Sequence, residues 1–392
     1  MIVARTIFEQ LEHASWIRRM FEEGIRLKAE RGEENVFDFT LGNPEVDPPD
    51  EVISALRRIA AGNRSGSHGY MPNAGFPSVR EVMARRLERA TGLPFTANHI
   101  LMTVGSSGAI NTVLKSLLDP GDEVIVPMPC FSEYPFYVQN HAGVMRPVET
   151  NEDFSLPIER IAAALTPRTK AIILNSPHNP TGVVYSEQSL RGLEELLAKT
   201  PAPVTVISDE PYRALVYDGL EPPEVFRIFR RVVVAHSWSK SQAIAGERIG
   251  YLAISPRLPE ADELRNACTF TNRILGFINA PAIWQWVAAE AGEATVDVAA
   301  YQQKRDLICD ALARFGYRLV KPQGAYYVFP QTPIPDDVAF VRLLQREGIL
   351  AVPGSGFGRA GYFRLSITAP RDTILRSLPG FERAIRAARS AQ

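Results

Sequence analysis

Cysteine is scarce in these 392 residues. There are three, Cys130, Cys268 and Cys309, far apart and odd in number. That excludes a full disulfide framework and a cysteine-rich zinc site, and it suits a reducing, cytoplasmic setting. Histidine is sparse at six, and no HExxH or comparable His/carboxylate spacing offers a metal pair, so no metal is expected. An excess of one charge is also missing. Forty-three basic residues against 44 acidic ones leave a formal net charge of −1, which argues against nucleic acid or a membrane surface as partner. No run reaches the roughly 18 apolar residues that span a bilayer. The N-terminal stretch carries charges every few residues and lacks the apolar core of a signal peptide. Repeats, low-complexity tracts and long linkers are absent as well.

What is present is a soluble globular composition, 45% apolar and 22% charged. At about 150 residues per domain the chain has room for two or three domains. Ile17, Met20, Phe21 and Ile25 recur at spacings of three and four, which predicts a helix over 15–28. A short strand and a Gly/Pro-rich loop at Gly42–Pro49 follow. Strand-like runs then appear at "HILMTV", "DEVIVP", "KAIILN", "PVTVIS" and "RVVVAH", with helix-like runs such as "SSGAINTVLKSLL" and "SEQSLRGLEELLAK" between several of them. Such alternation predicts an α/β fold with a mostly parallel sheet covered by helices. After Pro281 a long helical stretch to about Phe315 is expected. The tail reads strand, helix, strand, strand, helix. The expected division is a large domain over 46–285 and a smaller α+β domain from 1–45 and 286–392.

Polar clusters follow the strand-like runs in order: "TVGSSGA", "NSPHNPTG", "ISDEPY" and "HSWSK". In open α/β sheets ligands bind beyond the carboxyl ends of strands, so the four would meet in one crevice. Ser106 and Ser107 stand where a helix starts. Their hydroxyls, the backbone N–H groups and the helix dipole suit a phosphate, although an ordinary helix cap uses the same residues. Nothing matches the nucleotide P-loop pattern. Ser237, Ser239 and Arg248 could add phosphate contacts, Arg through its two-pronged donor. Asp209 closes a buried strand, where a carboxylate is costly without a cation or donor, unless it merely caps a helix. Asn179 could be a plain turn residue, and Tyr212 plain packing. Arg364 lies inside the apolar strand "YFRLSIT" and needs a partner, either a substrate carboxylate or a structural acid. The string "GFGRAG" fits G-x-G-x-x-G but precedes a strand pattern, so it is no dinucleotide site. A phosphate cradle, a carboxylate, phenol and amide donors and the lone Lys240 together are what pyridoxal phosphate requires.

The strings "LGNP", "GYMPNAGFPSVREVMARRL", "VGSSGA", "NSPHNPTG", "SDEPY", "SWSKSQAIAGERIGY" and "FRLSIT" run in one order over nearly the whole chain. In this the chain resembles the fold-type I pyridoxal-phosphate enzymes of the class I/II, aspartate-aminotransferase-like family. The resemblance implies that Lys240 carries the cofactor covalently and moves the substrate proton. Asp209 would pair with the pyridine nitrogen, and Asn179 and Tyr212 would bond the ring oxygen. Ser106, Ser107, Ser237, Ser239 and Arg248 would hold the phosphate, and Phe131 would stack on the ring. Arg364 and Asn179 would bind the substrate carboxylate under the Gly42 loop. Tyr70 would reach the phosphate of a partner subunit, which implies a homodimer with shared active sites. The implied reaction moves an amino group from an L-amino acid to a 2-oxo acid, with aspartate or glutamate and 2-oxoglutarate as the pair. Serine at 107 leaves a distal carboxylate to find another cation, and Arg273 is the candidate. A lyase or synthase of the same fold would use the same cofactor residues. A pyridoxal-phosphate-sensing regulator would need a basic DNA-binding domain, for which there is no room before Gly42.

Overall fold

The computed structural model describes residues 2–13, 16–62 and 66–390, and of residues 9, 12, 13 and 16–22 the backbone alone. Along the chain the strands are Phe37–Asp38 (β1), Ile100–Thr103 (β2), Glu123–Met128 (β3), Val144–Glu149 (β4), Thr169–Asn175 (β5) and Thr205–Asp209 (β6). Val232–Ser237 (β7), Gly250–Ile254 (β8), Tyr327–Val328 (β9), Ile349–Leu350 (β10), Val352–Pro353 (β11) and Phe363–Ser366 (β12) follow. Seven of these form one sheet in the order β2-β8-β7-β6-β5-β3-β4. Strand β8 runs antiparallel to both its neighbours, and every other pairing in this sheet is parallel.

The five strand-like runs of the sequence become β2, β3, β5, β6 and β7, buried along almost their whole length. Helices cover both faces of a parallel sheet, so its strands read as continuous apolar runs. Two strands escaped sequence reading. Strand β4, "VMRPVE", is half polar and carries Pro147, which an edge strand tolerates. Strand β8, "GYLAI", follows directly on the polar loop after Lys240, which hides its start.

The helix predicted over 15–28 spans Trp16–Arg31. Residue 15 and the side chains of Ile17, Met20 and Phe21 lie outside the described residues. Ile25 is 58% exposed, and the buried positions are Gly24 and Leu27. Close approach to β10 decides this: a Cβ on Gly24 would come within 2.8 Å of Leu350 Cδ1. The single helix expected after Pro281 is two, Ala282–Glu290 and Val298–Phe315. Gly292 turns the chain at φ +70°, and Asp297 caps the second helix by accepting from the Ala300 N–H at 3.0 Å. A further helix, Ala261–Ile274, was not anticipated.

Antiparallel β11-β12-β9 belongs to the C-terminal part, and N-terminal β1 joins it by parallel pairing with β10. A separate apolar cluster there gathers residues from Val296 to Ala388 together with Phe39, Tyr212, Leu215 and Tyr217. Two other clusters lie about the seven-stranded sheet. The segment after β1 therefore passes from the smaller core towards the carboxyl ends of the large sheet.

Candidate active site

The carboxyl ends of β2, β5, β6 and β7 open on one cavity of about 330 Å³. Gly42, Ser106, Ser107, Phe131, Asn179, Asp209, Tyr212, Ser237, Ser239, Lys240, Arg248 and Arg364 all line it. Tyr70 and Arg273 do not; both are exposed, Tyr70 at 89%.

Asp209 is the last residue of β6 and is buried. Tyr134, on the helix Tyr134–Asn140, donates to its Oδ2 at 2.6 Å. Its Oδ1 is buried with no protein partner. Burial pushes the Asp209 carboxyl up to about 6, against the opposing pull of the Tyr134 donor and of the nearby Ser106 hydroxyl, which stays short of hydrogen-bond geometry to Oδ1. No helix follows Asp209, so it is not a cap.

Lys240 sits three residues beyond β7 and donates to the Gly42 carbonyl at 2.6 Å. Burial lowers its pKa, and Arg364 and Arg248 lower it further. At the cavity's far side the helix Gly105–Leu117 presents Ser106 and Ser107 in its first turn. Gly105 has φ +77°, and a Cβ there would stand 2.9 Å from Arg248 Nη2. Among the described residues, the Arg248 guanidinium donates to the backbone carbonyls of Ala245 at 2.9 Å and Val104 at 3.3 Å. Ser237 Oγ lies 2.7 Å from Ser239 Oγ. Hydroxyls, a guanidinium and the first turn of a helix thus line one cavity, the donor set a phosphate needs.

Arg364, in β12, is 2% exposed. It donates to Asn179 Oδ1 at 3.0 Å and to the Thr40 carbonyl at 2.7 Å, while its Nε is buried without a partner. Its guanidinium carbon lies 4.4 Å from the centre of the Tyr327 ring and 4.6 Å from that of Phe357. No carboxylate of the chain pairs with it among the described ion pairs. A buried guanidinium without an anion calls for one from outside. Asn175, the first residue of "NSPHNPTG", accepts from the Asn179 N–H at 2.7 Å and donates to the Asp209 carbonyl at 2.9 Å.

Sequence reading missed Thr40, Asn175, Tyr134 and Tyr327. Asn175 was within reach, since it opens a cluster already singled out. Tyr134 and Tyr327 carry no local signal, because their partners are 75 and 115 residues away. The charged lining is Lys240, Arg248 and Arg364 against Asp209. Such a cavity favours an anionic guest. Pyridoxal phosphate fits on three independent counts: the phosphate cradle, the unpartnered Asp209 oxygen for a ring N–H, and the Lys240 amine for an aldehyde.

A family model described as aminotransferase class I and II matches residues 34–378. The aspartate/prephenate aminotransferase of Thermus thermophilus is 35% identical over 358 residues, 88% of this chain and 90% of that one. An aminotransferase from Eubacterium rectale superposes with a TM-score of 0.95 at 34% identity, covering 99% of both chains. The Thermus thermophilus aspartate aminotransferase with maleate gives a TM-score of 0.85 at 32% identity, covering 95% of this chain and 97% of that one.

Proposed function

The chain belongs to the class I and II aminotransferase family and is a pyridoxal-phosphate-dependent aminotransferase, and on that premise we propose how its own residues serve the reaction and which substrates it takes. Lys240 would hold the cofactor, and Ser106, Ser107, Ser237, Ser239 and Arg248 would hold its phosphate. Phe131 would pack on its ring, Asp209 would pair with the ring nitrogen, and Asn179 and Tyr212 would bond the ring oxygen. The observation that carries this reading is the buried Asp209 Oδ1 without a partner, in the same cavity as the Lys240 amine.

When bound, the cofactor supplies an electron sink for the charge that develops at substrate Cα. Asp209 holds the ring nitrogen protonated, and the new charge partner draws its carboxyl back down into the ionised range. Arg364 and Asn179 bind the substrate carboxylate and set the direction of the Cα–H bond. Once the substrate amine has replaced it on the cofactor, Lys240 Nζ, its pKa lowered by burial and two neighbouring cations, would be free to take the proton from Cα and deliver it to the cofactor's aldehyde carbon. A base placed in this way contributes about 10²–10⁴-fold.

We assign aspartate as the amino donor with 2-oxoglutarate as the acceptor, or glutamate as the donor to a different 2-oxo acid. The maleate of the Thermus complex and the aspartate in the relatives' names support a dicarboxylate. Arg364 meets one carboxylate. Arg273 lies outside this chain's cavity, so it can meet the second only in a neighbouring subunit. Exposed Phe270, Ile274 and Ile278 flank Arg273, and exposed Leu41 and Tyr70 add apolar surface, which supports a homodimer with Tyr70 reaching the partner's phosphate site. The division into a large domain over 46–285 and a small one from 1–45 and 286–392 is supported by the separate C-terminal apolar cluster. Three free, buried cysteines support a cytoplasmic setting.

An amino-donor panel with 2-oxoglutarate tests the assignment by following both the new amino acid and the new 2-oxo acid. Stoichiometric formation of the two marks transamination. Ammonia or carbon dioxide in place of the second product would point to a lyase or synthase on the same residues.

A further inference from the structure

Tyr212 Oη and Tyr327 Oη lie 3.0 Å apart, both buried, and both residues line the cavity. Each phenol has one hydrogen, so across this contact one donates and the other accepts. We propose that Tyr327 is the donor, and that it thereby acts as a positioning residue that leaves the Tyr212 hydrogen free for an acceptor oxygen of the bound cofactor. The proposal rests on the cofactor reading above.

Three observations set the direction. Before the cofactor attaches, the Lys240 amine faces Tyr327, and the Arg364 guanidinium, which acts on both phenols, has its carbon 4.4 Å from the centre of the Tyr327 ring. Positive charge attracts the oxygen lone pairs, which turns the Tyr327 hydrogen away, towards Tyr212. The Tyr327 ring cannot retreat, because its hydroxyl fills the space a side chain at 42 would take; any Cβ on Gly42 would run into it. Burial keeps Tyr212 protonated, so it retains a hydrogen to give. A hydroxyl that accepts one hydrogen bond becomes a better donor in the next.

Donation to the cofactor's ring oxygen favours the state in which the bound cofactor has lost its proton. It therefore lowers the pH at which the cofactor's absorbance changes. The test is that spectral titration on the holoenzyme for the parent, Tyr327→Phe, Tyr212→Phe and the double variant. Phenylalanine at 327 keeps the ring under Arg364 and so preserves the packing. We expect Tyr212→Phe to raise the midpoint most and Tyr327→Phe to raise it by roughly 0.2–0.6 pH unit, the share a single cooperative bond carries. In the Tyr212→Phe background, Tyr327→Phe should add nothing. An unchanged midpoint in Tyr327→Phe overturns the proposal. An equal shift in both backgrounds also overturns it, since Tyr327 would then act on Lys240 directly. A parent that shows no cofactor absorbance on reconstitution removes the cofactor reading itself, a failure distinct from the other two.

Discussion

Tyr134 and Asp209 are joined by a 2.6 Å hydrogen bond to one carboxylate oxygen, while the other oxygen is buried without a partner. A side chain 75 positions away in sequence thus anchors the carboxylate and leaves one face of it for a guest. The first prediction follows from its titration. In the cofactor-free protein the Asp209 carboxyl is pushed up to about 6, above the roughly 3.9 of an unfolded chain. The folded state therefore holds more protons between those values. Its contribution to stability is fully present below about pH 3.9 and is lost as pH rises through about 6, a difference of ~3 kcal/mol. Asp209→Asn should flatten that loss. Urea unfolding of cofactor-free protein across pH 4–7 measures it, and parallel curves for parent and variant would assign the titration elsewhere.

Lys240 should be the sole site of cofactor attachment. After borohydride reduction, peptide mass mapping should place the added group on the peptide containing Lys240. Lys240→Ala should still bind the cofactor without a covalent link, and its turnover should fall by at least about 10²-fold. A label on another lysine contradicts the assignment.

Arg364→Lys should not rescue Arg364→Ala. Lysine keeps the charge but loses the two-pronged donor and the flat face beside Tyr327 and Phe357. Truncation of a buried charge partner costs about 2–5 kcal/mol, roughly 30- to 5,000-fold in kcat/KM. Because Arg364 is placed on the carboxylate that all amino acids share, steady-state kinetics should show similar losses for dicarboxylic and neutral donors.

Arg273→Ala should separate those donors. If Arg273 meets the distal carboxylate across a subunit boundary, kcat/KM for aspartate falls by about 30- to 5,000-fold while alanine changes far less. Equal losses would make Arg273 a support of the fold or the dimer. No loss for either would favour an aromatic or aliphatic donor.

Tyr70, almost fully exposed in the single chain, should be covered in solution. Light scattering should give a homodimer, and Tyr70→Phe should loosen cofactor retention on dilution without changing the dimer. An active monomer would remove Tyr70 from the site.

The strands of the large sheet and most of the cavity lining were legible in the sequence. Buried parallel strands require unbroken β-branched and apolar runs, and the residues at their carboxyl ends stand out as polar clusters directly after those runs. Ser106, Asn179, Asp209 and Lys240 were found in that way. The N-terminal helix was legible in extent but not in orientation: Ile25 lies outside because the backbone at Gly24 comes too close to Leu350 for a side chain.

Local pattern determined which segments are strands and which strand ends carry chemistry, because both follow from the residues at hand and their spacing. Only the tertiary structure decided that Tyr134 anchors Asp209, that Tyr327 meets Tyr212 and that the Gly42 carbonyl receives the Lys240 amine. Those contacts join residues 75 to 198 positions apart, and a tyrosine's spacing to its own neighbours carries no trace of which distant oxygen it will meet.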